Sequence, residues 1–264
     1  MRHALAVTKT LDLAILPAEA LAMEADCFVV VDVLRATTTI ATLFARRLES
    51  LVAVDNIDRA RALAKAEGRL LFGEVDGLPP PGFDFGNSPA EAAAADVAGR
   101  GAVLFTTNGT TALCALAGRG VVATGAIVNT NAVAGYVSRF DRVVLVCAGR
   151  AGGRRFALDD FATAGLIIQR LVRLNPGIET GDAAGVAMTS PGYEDWLASA
   201  LPQQTGRSAR LIAGSAHGRD LTSIGLGGDI NFAMQEDWSQ AVPLVVESAP
   251  GEARLIDAAR ASDR

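Results

Sequence analysis

Short apolar segments rich in β-branched residues alternate with longer Ala- and Leu-rich segments along most of this chain. The apolar segments have the length of strands, and the segments between them carry apolar residues at helical spacing. Six segments fit the description of a strand: residues 27–33, 51–54, 70–72, 103–105, 121–124 and 143–147. Strands that are apolar on both faces and are separated by helices are typical of parallel sheets covered on both sides. The sequence therefore predicts an α/β protein with a mostly parallel sheet flanked by helices.

The last third of the chain is less regular. With 264 residues, the chain is long enough for one large domain or two small ones. We expect a main α/β domain over residues 1–173 that carries most of the site, and a looser C-terminal subdomain, residues 174–264, packed on it. Within this subdomain, residues 193–201 are predicted to be helical, residues 211–232 to be irregular because they are rich in glycine, and residues 243–246 to form the last strand.

Charge and composition limit the classes of partner. The formal net charge is −5 and no cluster of Lys and Arg stands out, so the sequence predicts no nucleic-acid surface. A small anion can still bind an acidic protein through backbone N–H groups and one or two Arg side chains. No run of 18 apolar residues and no signal peptide is evident, and the three cysteines have no metal-ligand spacing. We therefore expect no membrane contact and a cytoplasmic location, and a homodimer is compatible with the sequence.

Residues 76–89 interrupt the alternation of strands and helices with four prolines and three glycines. The segment ends in Ser88, Pro89 and Glu91, which is the pattern of a capping box with proline at the first helical position. A helix is therefore predicted from Pro89 to about Val97. A long ordered loop inside a compact domain is usually functional, although a plain surface excursion has the same pattern.

Two threonine-rich turns each join a strand to a predicted helix. The first covers residues 32–39 and contains Arg35, and the second covers residues 104–111 and contains Asn108 and Gly109. The N–H groups and partial positive charge at a helix N-terminus suit a phosphate or sulfonate, and an Arg side chain adds two parallel donors. Asn-Gly permits the positive φ angle that a tight anion-binding nest needs. The alternative is that both turns are ordinary helix N-caps.

Three carboxylates occupy positions that suit a divalent cation. Asp32 lies at the end of one predicted strand and Glu74 follows another, where open α/β sheets bind ligands, and Asp84 lies in the loop of residues 76–89. Mg²⁺ prefers oxygen ligands and commonly takes one or two protein carboxylates together with phosphate and water. Any one of these acids alone is more often a cap or an ion-pair partner, so the prediction depends on the three together.

Two other phosphatase chemistries lack residues at the spacing that they require. The haloacid-dehalogenase type needs a second Asp two residues after the first, and Leu34 occupies that position after Asp32. A phosphocysteine mechanism at Cys147 needs an Arg six residues later, where this chain has Gly153. We therefore interpret Cys147 as a buried residue at the end of a strand.

The remaining titratable residues of interest have plain structural interpretations. His3 and His217 are far apart in sequence and predict no zinc site, and neither lies in the Arg-His-Gly context of a phosphohistidine enzyme. Asp159 and Asp160 directly precede an apolar helical segment, and we expect them to cap that helix.

Several of these motifs, in this order, resemble the signatures of the 2-phosphosulfolactate phosphatase family. The motifs that carry the resemblance are residues 32–39, 73–74, 82–89, 106–110 and 147–149. Any one of them alone is a weak signal, but linked motifs in the right order are specific. The resemblance implies an α/β fold peculiar to the family, dependence on Mg²⁺, and hydrolysis of 2-phospho-3-sulfolactate to 3-sulfolactate. In some organisms this step belongs to coenzyme M biosynthesis.

The predicted site combines the two turns, the acids and the end of the loop. We expect Asp32 and Arg35 to be catalytic, with Asp32 either positioning water or acting as the nucleophile. The residues expected to bind the small anionic substrate are Thr37, Thr38, Asn87, Ser88, Thr107, Asn108, Gly109 and Thr110, and those expected to hold Mg²⁺ are Asp32, Glu74 and Asp84. Two alternatives remain open: a phosphatase or phosphotransferase that acts on another small phosphorylated acid, and a non-catalytic protein that binds small anions.

Overall fold

The computed structural model describes residues 9–189 and 207–261. Its strands are β1 Thr10–Ala14, β2 Cys27–Val31, β3 Ser50–Val54, β4 Leu70–Gly73, β5 Gly101–Phe105, β6 Val121–Gly125, β7 Arg142–Cys147, β8 Glu179–Thr180, β9 Pro243–Ala249 and β10 Glu252–Asp257. Its helices are α1 Pro17–Ala20, α2 Ala36–Ala45, α3 Ile57–Glu67, α4 Pro89–Ala94, α5 Gly109–Leu116, α6 Thr130–Val137, α7 Leu158–Leu174, α8 Asp182–Thr189, α9 Arg207–Ala213, α10 Ala216–Ser223, α11 Gly227–Ala233 and α12 Ala258–Ala261. Over these residues, no helix is both long and apolar enough to cross a bilayer.

All strands of the described residues form one sheet in the order β4-β5-β3-β10-β9-β6-β2-β7-β1-β8. Strands β4, β5 and β3 run parallel to one another and are called the β3 block. Strands β6, β2, β7, β1 and β8 are also mutually parallel and are called the β2 block. Strand β2 is buried on both faces, since Phe28 and Val30 pack into one core cluster and Val29 and Val31 into another. The prediction of an α/β fold with a mostly parallel sheet flanked by helices is confirmed.

The centre of the sheet is built from the end of the chain. The antiparallel hairpin of β9 and β10 joins the two blocks, with β9 next to β6 and β10 next to β3. The expectation that residues 243–246 form the last strand is wrong, because β10 follows. The side chains of β10 alternate between buried and partly exposed, and this pattern does not give the continuous apolar run by which the other strands are recognised. The division of the chain at residue 174 stays a prediction, although β9 and β10 lie inside the main sheet.

The expectation of an irregular segment over residues 211–232 is also wrong, because this part of the chain contains helices α9, α10 and α11. Ser215 caps α10 by accepting the N–H of Gly218 at 2.9 Å. A Cβ on Gly218 would collide with the carbonyl oxygen of Ile212, so this glycine allows α9 and α10 to approach closely. The predicted helix over residues 193–201 lies outside the described residues.

The two blocks come together around the helices between them. Helix α5 packs against β2 of one block and β3 of the other, and α2 packs against β6 and β9. Three antiparallel pairings separate β3 from β6, so the two blocks run in opposite directions along the sheet. A twist of about 20–25° per strand step accumulates to roughly 100–125° over the five steps from β5 to β2, which offsets much of this reversal. In keeping with this, the turns that follow β2 and β5 meet, and the Asp32 carboxylate faces Gly109.

Candidate active site

A cavity of about 400 Å³ lies where the segments after β2, β4, β5 and β7 meet helix α10. Its polar lining residues are Asp32, Arg35, Glu74, Asp76, Asn87, Thr107, Asn108, Arg150, His217 and Asp220. Leu34, Ala151, Leu221 and Ile224 supply apolar surface. Six residues of the predicted site are thus brought together beyond the carboxyl ends of parallel strands, which is where α/β sheets bind ligands.

Asp32 lies directly after β2 and is 5% exposed. Its Oδ1 accepts the N–H of Ala36 at 3.3 Å, and its backbone carbonyl accepts the N–H of Thr37 at 2.9 Å. Its Oδ2 faces Gly109, the first residue of α5. The carboxylate therefore lies between the N-termini of α2 and α5, whose partial positive charges favour an anion there.

The groups around Asp32 shift its pKa in opposite directions. Burial raises the pKa of Asp32 to about 6. His217 and the N–H of Ala36 act to lower this pKa, while the carboxylates of Asp159 and Glu74 act to raise it. A carboxyl group with a pKa near 6 can both carry charge and exchange a proton close to neutral pH.

Close packing, rather than a positive φ angle, explains the glycine at position 109. Asn108 has a φ of −119°, and Gly109 is not among the positive-φ residues of the described chain. A Cβ on Gly109 would lie 2.6 Å from both Asp32 Oδ2 and Ala36 Cβ, closer than such atoms approach. The prediction of a positive-φ nest at this position is therefore wrong, because glycine instead allows α5 to begin against the Asp32 carboxylate.

Glu74 joins the turns that follow β4 and β5. Its Oε1 accepts the N–H of Thr107 at 2.8 Å, and its Oε2 accepts the N–H of Gly77 at 2.9 Å. The side chain is buried and lines the cavity. Each carboxylate oxygen has a second lone pair, so Glu74 can hold these turns and still contact a ligand.

Arg35 is held at the cavity by two buried contacts. Its Nη1 pairs with Oδ2 of Asp229 at 2.7 Å, and its Nη2 donates to the carbonyl of Gly77 at 2.6 Å. The other Asp229 oxygen, Oδ1, accepts the hydroxyl of Ser88 at 2.6 Å. Asp229 was not predicted, because it lies 194 residues from Arg35 in the chain and in a segment expected to be irregular.

Four predicted substrate-binding residues have hydroxyl groups engaged within the protein. Thr37, Thr38 and Thr110 are buried and bond to backbone groups of their own turns. Ser88 accepts the N–H of Glu91 at 3.2 Å and so caps α4, as the capping box predicts. Of these four residues, all in the described part of the chain, none lines the cavity. Ordinary capping accounts for their hydroxyl groups, and direct contact with substrate stays a prediction.

Three other predicted binding residues do line the cavity. Thr107 is exposed there. Asn108 accepts the N–H of Gly152 at 2.9 Å through its side chain, which ties α5 to the turn after β7. Asn87 is 2% exposed, and its Oδ1 has no hydrogen-bond partner among the described residues. A buried amide oxygen without a partner is uncommon, so Asn87 is well placed to contact a hydrogen-bond donor or a cation of a ligand.

Asp84 is not brought to Asp32 and Glu74, and it does not line the cavity. It is exposed, and its Oδ2 accepts the N–H of Leu71 at 2.8 Å. The next residue stacks its ring on Phe72 of β4, so this part of the loop runs beside the strand instead of over the site. The position of Asp84 therefore gives the predicted metal role no support.

The expectation that Asp159 and Asp160 cap α7 is wrong. The N-cap residue is Ala157, and both acids lie buried inside the first turn. Asp160 accepts the N–H of Val33 at 3.1 Å and that of Gly149 at 3.0 Å, which joins the turns after β2 and β7. Burial, and next the neighbouring Asp159, raises the pKa of Asp160 well above its ordinary value. A pair of acids before an apolar helix looks the same in sequence whether it caps that helix or is buried under it.

Arg150 and His217 complete the cavity and were not predicted. Arg150 forms an ion pair with Asp220. His217 Nδ1 lies 3.3 Å from Oδ2 of Asp159 as an ion-pair contact, although the approach is not aligned for a hydrogen bond. Burial acts to lower the pKa of His217, but the carboxylates of Asp159 and Asp32 outweigh it and raise that pKa.

Cys147 ends β7 and is fully buried outside the cavity lining. Burial raises the pKa of its thiol well above the ordinary value, so the thiolate is scarce at neutral pH. This environment agrees with the interpretation of Cys147 as a packed strand-end residue. All three cysteines are free.

The charge balance of the cavity suits a divalent cation. Arg35 and Arg150 are each neutralised by an aspartate, whereas Asp32 and Glu74 have no ion pair within residues 9–189 and 207–261. The same residues contain no cluster of three or more His, Cys, Asp or Glu side chains able to hold a metal alone. Mg²⁺ needs only one or two protein carboxylates when phosphate and water supply the other ligands. Asp32 and Glu74 therefore fit Mg²⁺ bound together with a phosphorylated ligand.

Known proteins resemble this chain over most of its length. A family model described as 2-phosphosulpholactate phosphatase matches residues 15–248. The chain belongs to this family. A protein of Thermus thermophilus named probable 2-phosphosulfolactate phosphatase is 38% identical over 245 residues, which cover 91% of this chain and 96% of that protein. One of Deinococcus radiodurans with the same name is 36% identical over 232 residues, covering 86% and 89%.

Membership of the 2-phosphosulpholactate phosphatase family confirms the resemblance seen in the sequence motifs. It also identifies the chain as an enzyme of the phosphoric monoester hydrolase class. The matched residues 15–248 include every lining residue of the cavity.

Proposed function

We propose that this protein is a Mg²⁺-dependent phosphatase that hydrolyses 2-phospho-3-sulfolactate, or a close phosphorylated acid, to 3-sulfolactate and phosphate. The observation that carries the proposal is the cavity in which the family's separate sequence motifs meet. Asp32 and Arg35 come from the first motif, Asn87 from the loop motif and Asn108 from the second threonine-rich turn. The names of the relatives support the choice of substrate.

The substrate carries a phosphate, a sulfonate and a carboxylate, so its site needs several donors directed at one small volume. Arg35 is buried, and its contacts with Asp229 and Gly77 fix the plane of its guanidinium. A fixed guanidinium can donate to a phosphate or sulfonate without first losing conformational freedom. The side chain of Arg150 adds further N–H donors at the same cavity.

Asp32 is the residue best placed for the chemical step. It is buried between two helix N-termini, and its pKa of about 6 leaves it largely ionised at neutral pH. From this position it can attack phosphorus or take a proton from an attacking water, and the geometry is compatible with both. Asp32 and Glu74 would hold Mg²⁺, which when bound neutralises charge on the phosphoryl oxygens and makes phosphorus more susceptible to attack.

The deciding experiment is a phosphate-release assay with added Mg²⁺ on 2-phospho-3-sulfolactate, phospholactate and phosphoglycerate. We expect the highest kcat/KM for phosphosulfolactate, loss of activity in EDTA and recovery with Mg²⁺. Asp32→Asn should remove nearly all kcat without lowering the melting temperature, because the shape of the side chain is kept. A preference for another phosphorylated acid would leave the enzyme class intact and change its substrate. Anion binding without turnover of any ester would refute the proposed function.

Four expectations about the location, partners and pathway of this protein stay predictions. They are the cytoplasmic location, the lack of nucleic-acid binding, the homodimer and the place of the reaction in coenzyme M biosynthesis.

A further inference from the structure

His217 reaches the cavity with a buried carboxylate behind it. The histidine lies on α10 and lines the same cavity as Asp32. Asp159 lies in the first turn of α7, is 0% exposed and does not line the cavity. Because Nδ1 of His217 faces Asp159, the other ring nitrogen, Nε2, is the one that can meet a ligand in the cavity.

Hydrogen bonding does not explain why the Asp159 side chain is buried. Neither of its carboxylate oxygens has a hydrogen-bond partner within residues 9–189 and 207–261. The neighbouring Asp160 differs, since both of its oxygens accept backbone N–H groups. A buried carboxylate is costly unless it is paired, and His217 is the basic side chain that contacts Asp159, at 3.3 Å. The arrangement is that of a carboxylate orienting a histidine that acts on a ligand.

The reaction proposed above requires a proton at a defined place. Hydrolysis of an alkyl phosphate releases an alkoxide-like oxygen, which is a poor leaving group unless it is protonated as the bond to phosphorus breaks. Asp32 is proposed to attack phosphorus or to activate water, and this takes place on the side of phosphorus away from the leaving oxygen. An arginine side chain does not serve as a general acid, so the two arginines of the cavity do not supply this proton.

We propose that His217 is a catalytic residue that protonates the leaving oxygen of the substrate through Nε2, and that Asp159 is the residue that positions it. This inference rests on the proposed phosphatase function. The bond between phosphorus and the bridging ester oxygen breaks, and its electron pair stays on that oxygen. The oxygen then takes the proton from Nε2. Water supplies the new oxygen on phosphorus, and the proton that water releases restores the imidazolium through solvent.

The charges around His217 agree with this role. Burial acts to lower its pKa, but Asp159 on α7 and Asp32 after β2 raise it beyond that effect, while Arg150 after β7 acts against them. On the same helix, Asp220 is engaged with Arg150. The histidine is therefore favoured in its protonated form, which is the form that an acid catalyst needs.

The test compares leaving groups in the full-length enzyme with Mg²⁺ present. His217→Gln should lower kcat on 2-phospho-3-sulfolactate by about 10²–10⁴-fold, the usual contribution of general acid catalysis. The same variant should hydrolyse p-nitrophenyl phosphate within about threefold of wild type, because nitrophenolate leaves without a proton. Asp159→Asn should show the same selective loss, to a smaller extent. Ser223→Ala, an exposed change on the same helix, should alter neither substrate.

A second measurement decides the matter if the wild-type enzyme does not accept the aryl ester. Binding of 3-sulfolactate, measured by calorimetry, should be within about threefold of wild type in His217→Gln, because a proton donor acts on the chemical step. An equal loss on both esters, or a loss of product binding as large as the loss of kcat, would overturn the proposal. So would a trapped phosphohistidine, which would make His217 the nucleophile. If the wild-type enzyme releases no phosphate from any ester, the proposed function fails and this inference fails with it.

Discussion

Replacement of Asp229 by asparagine removes the partner of a buried charge. The Arg35 and Asp229 side chains are 3% and 4% exposed, and Nη1 and Oδ2 lie 2.7 Å apart. In Asp229→Asn the guanidinium keeps its bond to the Gly77 carbonyl but has no counter-charge. Removing one partner of a buried pair costs about 3–5 kcal/mol, because the remaining charge stays desolvated. For a chain of this size, that corresponds to a fall in melting temperature of roughly 6–20 °C.

The measurement is urea unfolding followed by circular dichroism, with the midpoint and the slope determined separately. The matched control is Glu24→Gln, which removes a charge from an exposed pair with Arg142. Solvent screens that pair, so its midpoint should not change measurably. Arg35→Met combined with Asp229→Leu should be less destabilised than Asp229→Asn, because no charge is then left buried. A loss below about 1 kcal/mol in Asp229→Asn, or a double variant as unstable as the single one, would refute this reasoning.

Three further changes follow from the same structure. Gly109→Ala places a methyl group 2.6 Å from Asp32 Oδ2 and Ala36 Cβ, and should lower kcat by roughly 100-fold, whereas Gly135→Ala, with no atom within 4 Å of the added carbon, should retain full turnover. Cys147→Ser should keep most turnover, and mass spectrometry of the wild-type enzyme during turnover should find no phosphocysteine. Burial raises the pKa of Asp32 to about 6, above the value of about 3.9 in an unfolded chain. The folded state therefore binds more protons between these values, so the unfolding free energy of the metal-free protein should fall as pH rises from about 4 to 6. Asp32→Asn should reduce that slope, and the part that remains is the contribution of Asp160, whose pKa is also raised by burial.

The parts of the fold that depend on local pattern were predictable. Helix α3 begins after Asn56, whose side chain caps its first turn, and it ends at the C-cap residue Gly68, which adopts the left-handed conformation. The loop that ends at Ser88 and the strand that precedes Asp32 were recognised for similar reasons. Each of these features is decided by neighbours within a few residues.

The parts that depend on distant pairing were not predictable from one sequence. Strand β10 alternates between buried and exposed residues, and its place between the two blocks depends on pairing with β3 across about 200 residues. Asp229 and His217 carry no local signal, since the partner of each becomes visible only when α10 and α11 pack against the turn after β2 and against α7. Asp159 and Asp160 before an apolar helix did mark a special position, but the same two residues are expected whether they cap the helix or are buried beneath it.

The hairpin of β9 and β10 joins the two strand blocks that both contribute residues to the cavity. The β2 block supplies Asp32 and Arg35, and the β3 block supplies Glu74 and the turn at Thr107. Glu74 is held by the turn after β5 in its own block, whereas Arg35 is held from α11 and from the loop after β4. Strands β9 and β10 hold the two blocks at the twist that lets Asp32 face the start of α5. The Asp32 carboxylate is therefore positioned by long-range sheet pairing, which brings together the short motifs that line the cavity.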